Sequence, residues 1–581
     1  MKQTIGDFLF RRLAEAGVGH AFGVPGDYNL VLMRQLIRAE PAPRWIGTCN
    51  ELNGAYAADG YARLNGIGAL LLTNGVGALS AINGVAGSYS EHVPVVAVCG
   101  TLPLNYTRKG LLMHHSLADR SQGPAGQFYR AFAEVTEAQA RLDHDNAASE
   151  IDRLILTAWR RKRPVYLEIP SDLPYLEIEA PDGPLRLDRA PSDQERLASC
   201  AEAIAGRLRT ARRPALLLDS DTQRFALEAE VAALAERWGL RTAVLGNAKS
   251  AFDETSPLFA GVYAGRGSSP ATREAIEGGD CLITLGYRRI ESTTGFFTDD
   301  LPADTIHVNA TWTDIGEADY QGVNVAELLA LLLEVEAPTR ERLTTAETGA
   351  EPATADAAGA TDADLDAPLT QAAYWQAMQE FVSPGDVLVV EDGTSLAGAG
   401  GLDLPPGATL VSQALVWGSI GYTTGALLGT LLAAPERRHL LFTGDGSFQL
   451  TAQEISTILR EDLKPFVFLI NNHGYTIERT ILGKDDFYND VANWSYAELP
   501  RVFRPGTDAE TYVVRTAREL RAVLDAPHAG LVFVEALLDK DDSPVALIES
   551  GHGLAEADYG PRGPQHEPDA QIPLPTASDG A

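Results

Sequence analysis

The sequence predicts an α/β protein built from three doubly wound parallel-sheet domains. Three observations carry that expectation. The chain has 581 residues, room for about four ordinary domains or three large ones. Short β-rich runs alternate with helical patterns, the rhythm of strands joined by crossover helices. Polar seams rich in Pro, Asp or Ala divide that alternation into three blocks.

The first block covers residues 1–185. Its opening segment places Ile5, Phe8, Leu9 and Leu13 at helical spacing, an amphipathic helix. Asp7, Arg11, Arg12 and Glu15 interrupt any apolar run there, so it does not read as a signal peptide. Strands are predicted at 21–24, 45–49, 68–73 and 94–98, with a helix over 51–63. Residues 181–193 read as a linker. The second block, 194–335, carries strand candidates at 215–219, 281–286 and 305–308. Residues 336–368 hold almost no large apolar side chain and are expected to form a disordered acidic linker, because they cannot bury enough surface to offset chain entropy. The third block, 369–548, has strands predicted at 387–391, 439–443, 466–470 and 531–535, and a helix over 448–460. Residues 549–581, rich in Gly, Pro and Asp, are expected to be a loose tail or an active-site cover. The first and third blocks share size and pattern, as a duplication would give.

Composition excludes several functions. Hydrophobic residues make up 45% and charged residues 22%, the balance of a globular protein in water. Acidic residues number 79 against 47 basic, a net charge of −32 that would repel nucleic acid and anionic membranes alike. The longest apolar stretch, 425–434, is too short to span a bilayer. The basic residues are seven Lys and 40 Arg, which fits a GC-rich coding sequence or a saline cytoplasm. The cysteines, Cys49, Cys99, Cys200 and Cys281, are far apart and read as free thiols in a reducing cytoplasm.

The strongest chemical signal lies in the third block. A buried strand runs into Gly444-Asp445-Gly446-Ser447, and a second strand ends at Asn471-Asn472-His473-Gly474-Tyr475. Both loops fall at the carboxyl ends of parallel strands, where open α/β sheets bind ligands. Small residues let the backbone approach a phosphate, and the following helix offers free N–H groups. Asp445 and Asn472 supply two hard oxygens and a nearby carbonyl a third, a set suited to Mg²⁺ shared with a diphosphate. This pair of loops resembles the cofactor motif of thiamine diphosphate enzymes. The resemblance implies binding of thiamine diphosphate and Mg²⁺, with Asp445, Asn472 and Gly474 on the metal. It implies that Gly444, Gly446, Ser447, Gly474, Tyr475 and Thr476 line the diphosphate.

A second region agrees. Taken alone, Glu51 at the start of a helix reads as a dipole-stabilising surface group. The segment Cys49-Asn50-Glu51-Leu52-Asn53-Gly54, with Asp59-Gly60-Tyr61-Ala62-Arg63, resembles the stretch in which this family's glutamate bonds the aminopyrimidine and promotes ylide formation. Asp27 in a Pro-Gly-Asp turn, the His114-His115 pair and Glu478 are each weak signals alone. Together they resemble the acid–base set of pyruvate decarboxylase and its relatives for indolepyruvate, phenylpyruvate and branched-chain 2-oxo acids. The resemblance spans about residue 3 to residue 545. It implies non-oxidative decarboxylation of a 2-oxo acid to an aldehyde and CO₂ through an ylide and an enamine, with Asp27, Glu51, His114, His115 and Glu478 catalytic. Gly418 and Ile420 correspond to positions that hold and bend the cofactor, Gly393 and Thr394 to a loop near its diphosphate. Self-association to a dimer or tetramer, with sites at the subunit interface, is implied in the same way.

The substrate pocket is expected to include Leu396, Ile477, Ile481 and Glu291. Pyruvate-specific relatives tend to carry Trp where Leu396 falls, so larger aromatic or branched 2-oxo acids are favoured here. Glu291 stands where relatives often have a neutral residue. Either the correspondence is locally shifted or the side chain faces outward, or its carboxylate repels acidic substrates or favours a cationic side chain. Two alternatives accompany this reading: a pyruvate-specific decarboxylase, and a carboligase of the acetolactate synthase type.

Overall fold

A computed structural model describes residues 2–117, 126–338 and 364–575. Most of the acidic segment 336–368 and the last residues of the expected tail lie outside that range. The chain divides into two compact units. The first comprises Met1–Arg189, Gly421–Arg437 and Thr451–Leu463, and the second the remainder. Two segments of the third sequence block thus cluster with the first.

The first unit contains a six-stranded sheet in the order Arg44–Gly47, His20–Gly23, Gly68–Thr73, Val95–Thr101, Val165–Pro170, Ala138–Arg141, parallel throughout. The Gly68–Thr73 and Val95–Thr101 strands are buried along their whole length, as strands covered on both faces must be. The predicted N-terminal helix is Ile5–Glu15, capped by Thr4, whose hydroxyl accepts the Asp7 N–H. A two-stranded antiparallel ribbon, Lys2–Thr4 with Glu177–Glu179, was not foreseen. It ties the chain's first residues down beside the linker.

The second unit contains two sheets. One has the order Thr409–Val411, Val387–Val390, His439–Gly444, Phe466–Asn471, Val532–Leu537, Glu510–Val514, also parallel throughout. Numbered along the chain, this sheet and that of the first unit share one strand order, 2-1-3-4-6-5. The central sheet departs from the all-parallel expectation. Its last two strands, Trp312–Ile315 and Ala318–Gln321, run antiparallel beyond Ile306–Val308. They form a tight meander across Gly316, whose positive φ of 64° suits glycine.

Two further differences concern helices. The predicted helix over 448–460 is broken: Asp445–Thr451 is α-helical, Ala452–Glu454 is a 3₁₀ turn, and Ile455–Arg460 resumes. Residues 549–575 are not loose. The helix Val545–Tyr559 lies on the helix Thr476–Ile481, where a β-carbon on Gly551 would fall 2.0 Å from the Thr480 hydroxyl. Beyond it, Ile572 donates its N–H to the Arg479 carbonyl at 3.1 Å, and Gln571 donates to the Ile481 carbonyl at 2.8 Å. The expected tail is therefore fastened to the helix that bears Glu478.

Candidate active site

Parallel sheets bind ligands where neighbouring strands leave in opposite directions. In the order 2-1-3-4-6-5 that crevice lies between strands 1 and 3. In the first unit these are His20–Gly23 and Gly68–Thr73, followed by the Asp27 turn and by Thr73 itself. In the second they are Val387–Val390 and His439–Gly444, followed by Gly393 and by Asp445.

Glu51 begins the helix Glu51–Asn65. Asn50 caps it by accepting the Asn53 N–H at 2.8 Å. Glycines press this helix between two others. A β-carbon on Gly84, in the helix Val76–Ser90, would lie 2.5 Å from the Ala55 β-carbon. One on Gly429, in the helix Tyr422–Ala433, would lie 2.0 Å from the Ala57 carbonyl oxygen. A polar knot joins the same three helices. Buried Asp59 accepts from Arg63 Nε at 2.6 Å, from the Tyr422 hydroxyl at 2.6 Å and from the Ser88 hydroxyl at 2.8 Å. Below the cap, Glu454 takes the Cys49 N–H and the Asn53 side-chain amide. Glu51 itself rests against Gly77, where a β-carbon would meet its Oε1 at 2.9 Å. Every contact around this carboxyl thus restricts where the helix can carry it.

Asp27, His114 and His115 come together in the same unit. Asp27 Oδ2 lies 2.8 Å from His114 Nε2, and ligand atoms of Asp27, His114 and His115 all fall within 4.8 Å of one another. Both Asp27 and His114 remain about half exposed. Sequence reasoning missed Tyr28. Its ring stacks on His114 at 4.9 Å and its hydroxyl donates to the His114 carbonyl at 3.1 Å. Burial, then the Asp27 charge, pushes its phenol up to about 12, so it stays a neutral donor. His115 adopts a left-handed φ of 64° and packs its backbone on Gly75. Such strain in a bulky residue is tolerated where neighbours over-determine the loop. Thr73, also missed, touches both halves: its side chain sits 2.6 Å from a β-carbon built on Gly26 and 3.0 Å from one on Gly77. Its buried hydroxyl has no partner in the protein.

The loops around Asp445 and Asn472 lie in the second unit. Asp445 is 1% exposed and accepts the Gly446 N–H at 2.8 Å and the Gly474 N–H at 3.1 Å. Burial pushes its carboxyl up to about 7 despite those bonds, so a cation there would relieve a costly charge. Asn472 is buried and its Oδ1 has no hydrogen-bond partner. An orphaned amide oxygen beside a buried carboxylate is the donor chemistry a hard cation requires, so these residues fit Mg²⁺. Tyr475 covers Gly446, where a β-carbon would meet the ring at 2.4 Å, while a β-carbon on Gly444 would meet nothing within 4 Å. That open backbone, with buried Ser447 and Thr476 nearby, suits a phosphate cradle.

Gly418 is exposed with φ 67°, and Ile420 is 37% exposed. Gly393 has φ 85° and leads into the helix Thr394–Gly400. Leu396, on that helix, is half-buried with one side on the C-terminal core. Ile477 is half-buried, Ile481 is buried, and Glu291 is exposed. Glu478 reaches solvent, yet partial desolvation raises its carboxyl pKa. Two further polar residues escaped sequence reasoning. Gln413 is 1% exposed with both side-chain polar atoms unpartnered. Asp392 follows the first strand of its sheet, and its Oδ1 accepts the Gly393 N–H at 2.7 Å. A Glu-Asp-Gly run at a strand's carboxyl end was the available signal for Asp392. Gln413 carried none.

Comparison with known proteins agrees along the chain. Residues 3–122 match the thiamine pyrophosphate enzyme N-terminal TPP binding domain, 201–334 the central domain, and 397–536 the C-terminal TPP binding domain. A pyruvate decarboxylase of Aspergillus fumigatus is 38% identical over 94% of this chain and 95% of its own length. An alpha-keto-acid decarboxylase of Mycobacterium avium is 39% identical over 94% of this chain and 96% of its own. Pyruvate decarboxylase isozyme 1 of Saccharomyces cerevisiae is 36% identical, with 94% and 97% covered.

Proposed function

The chain belongs to the thiamine diphosphate-dependent 2-oxo acid decarboxylases, and from that membership we propose that it favours larger aromatic or branched-chain acids of the indolepyruvate, phenylpyruvate and 2-oxoisovalerate type, with pyruvate a poorer substrate. The observation that carries this preference is Leu396, a half-buried aliphatic residue and the third of the helix after Gly393. An apolar pocket discriminates by about 1–3 kcal/mol per methylene, so the range is broad.

When bound, thiamine diphosphate supplies an electron sink for the bond to the departing carboxylate. The chain's own residues do the rest. Asp445, Asn472 and the Gly474 carbonyl hold Mg²⁺, and the open backbone at Gly444 together with Ser447 and Thr476 receives the diphosphate. Glu51, fixed by its wedged helix, hydrogen-bonds the aminopyrimidine. Glu478, with its raised pKa, positions the substrate carboxylate and holds a proton near it. Asp27, His114 and His115 share protons at the mouth, and Tyr28 fixes the orientation of His114. From the same family membership we read the working enzyme as a dimer or tetramer whose sites draw on two subunits, located in the cytoplasm. No helix among the described residues is long and apolar enough to cross a membrane.

The test is CO₂ and aldehyde release by the purified protein with thiamine diphosphate and Mg²⁺. The substrates are pyruvate, 2-oxoisovalerate, 2-oxoisocaproate, phenylpyruvate and indolepyruvate. Stoichiometric aldehyde, with higher kcat/KM for the larger acids, supports the proposal. Turnover of pyruvate alone refutes the pocket reading. Acyloin without free aldehyde reassigns the chain to the carboligases.

A further inference from the structure

Three successive residues, Gly295, Phe296 and Phe297, hold left-handed backbones, with φ of 58°, 59° and 60°. A bulky residue in that region is an outlier, and two in a row persist only where neighbours over-determine the loop. Such neighbours are present. A β-carbon on Gly295 would lie 2.3 Å from the Ala264 carbonyl oxygen, so the turn sits tightly on that backbone. The Thr298 hydroxyl donates to the Gly295 carbonyl at 2.7 Å and accepts the Arg266 N–H at 2.9 Å. Phe296 donates its own N–H to the Glu291 carbonyl at 2.8 Å. The two rings then diverge. Phe297 is 52% exposed, with the Arg289 guanidinium 5.4 Å over its centroid. Phe296 instead meets the helix Val545–Tyr559, where a β-carbon on Gly553 would fall 2.4 Å from its Cε2 and 2.8 Å from its Cδ2.

The same helix has a second notch. Gly551 abuts Thr480, where a β-carbon would lie 2.0 Å from the hydroxyl and 2.9 Å from the carbonyl carbon. Residues two apart on an α-helix point about 200° apart, so the Thr480 and Phe296 contacts lie on opposite sides. The helix is thus clamped between the Phe296 ring and the short helix Thr476–Ile481 that bears Glu478. We infer that Phe296 is a positioning residue for decarboxylation: its ring backs the helix Val545–Tyr559 against the helix Thr476–Ile481, and so sets where Glu478 stands. The inference rests on the decarboxylase reading and deepens it. The short helix has other ties, but they are hydrogen bonds: Thr476 to the Lys540 carbonyl, Arg479 to Asp490, and Gln571 to the Ile481 carbonyl. Bonds of this kind tether a helix without pressing on it. The packing contact at Thr480 is made by a glycine, and so is the contact on the far side. No flexible side chain of the clamped helix stands at either notch to absorb a displacement, and close-packed interiors pass such displacements on. Because Phe296 also holds the Glu291 carbonyl, the loop expected at the pocket and the Glu478 helix share one strut.

The experiment compares full-length holoenzyme variants by hydrogen–deuterium exchange and by steady-state kinetics with 2-oxoisocaproate. Phe296→Ala removes the backing. Exchange should rise over both 545–559 and 476–481, while the central strand Cys281–Leu285 exchanges as in wild type. In the same variant kcat should fall by about tenfold or more with KM little altered, since a misplacement of about 1 Å at a catalytic group costs up to about a hundredfold. Gly553→Ala presses from the other side and should lower kcat as well. Phe296→Leu should be milder alone, and combined with Gly553→Ala it should restore kcat, because the smaller side chain leaves room for the added methyl. It also stands in should Phe296→Ala fail to fold. A ring that merely stabilised its own loop would raise exchange around 290–299 and leave 476–481 untouched. Unchanged exchange over 476–481 in both Phe296 variants, or a double variant no better than Gly553→Ala, overturns the inference and leaves the decarboxylase reading intact. A wild type that releases no CO₂ from any 2-oxo acid overturns the two together, whatever the exchange.

Discussion

Replacing Gly429 by alanine tests whether the Glu51 helix is positioned by close backbone contact. In an unobstructed helix the change should stabilise, because alanine is better than glycine by about 1 kcal/mol. Here the new β-carbon would fall 2.0 Å from the Ala57 carbonyl oxygen and 2.6 Å from the Tyr61 nitrogen. These are backbone atoms of a helix held on its other side by Gly84 and knotted at Asp59, so they have nowhere to retreat. Overpacking of a fixed core costs about 1–3 kcal/mol, and an overlap this deep belongs at the upper end. Subtracting the propensity gain leaves a net loss of about 2 kcal/mol, or a fall in Tm of roughly 4–8 °C for a unit of this size. The control is Gly206→Ala, in the helix Gln194–Thr210, where a β-carbon meets nothing within 4 Å. That variant should gain up to about 1 kcal/mol. Scanning calorimetry of both proteins reads the two signs directly, and activity should fall in the first variant alone. A Gly429→Ala protein as stable as wild type, or two variants shifting the same way, would refute the wedge.

Other perturbations follow from the same geometry. His20 is held down to about 4 by burial and then by Arg44, with Glu461 opposing. Its neutral form is therefore favoured in the folded state. That contribution is present above about pH 6.5 and lost as pH falls toward 4, amounting to at most about 3 kcal/mol. Urea midpoints of wild type and His20→Asn across that range should converge at the acid end, and parallel curves would remove His20 as the cause. Asp445→Asn should weaken Mg²⁺ binding by more than the roughly 10–100-fold typical of losing an outer partner. Calorimetry in the presence of thiamine diphosphate measures it, and unchanged affinity would move the metal elsewhere. Leu396→Trp should shift the kcat/KM ratio toward pyruvate by at least about tenfold relative to 2-oxoisocaproate. An unchanged ratio would take Leu396 out of the pocket.

Much of the site was legible in the sequence because its signals are local. The strand running into Gly444-Asp445-Gly446 and the one ending at Asn472 carry hydrophobic runs bounded by small polar loops, and the fold places both at one sheet edge. Glu51 was legible as the start of a helix, since Asn50 is a capping residue. What the sequence concealed depends on distant pairing. Tyr28 meets His114 across 86 positions. Thr73 is an ordinary strand end until Gly26 and Gly77 close around it. The break at Ala452–Glu454 contradicts an uninterrupted helical pattern because Glu454 is drawn off to Cys49 and Asn53. The antiparallel meander of the central sheet rests on two four-residue strands, too short for periodicity to register. The C-terminal segment looked loose because its Gly and Pro content was read as freedom. Gly551 is instead the condition for lying on Thr480.

The shared strand order of the two six-stranded sheets has a practical side. Each frame offers the same strand ends at the same crevice, so a loop lifted from one has a geometrically equivalent socket in the other. The chain thus contains its own acceptor for grafts. Exchanging the turn around Asp27 with the run from Asp392 to Leu396 would separate what the frame imposes from what the loop brings, without recourse to any second protein.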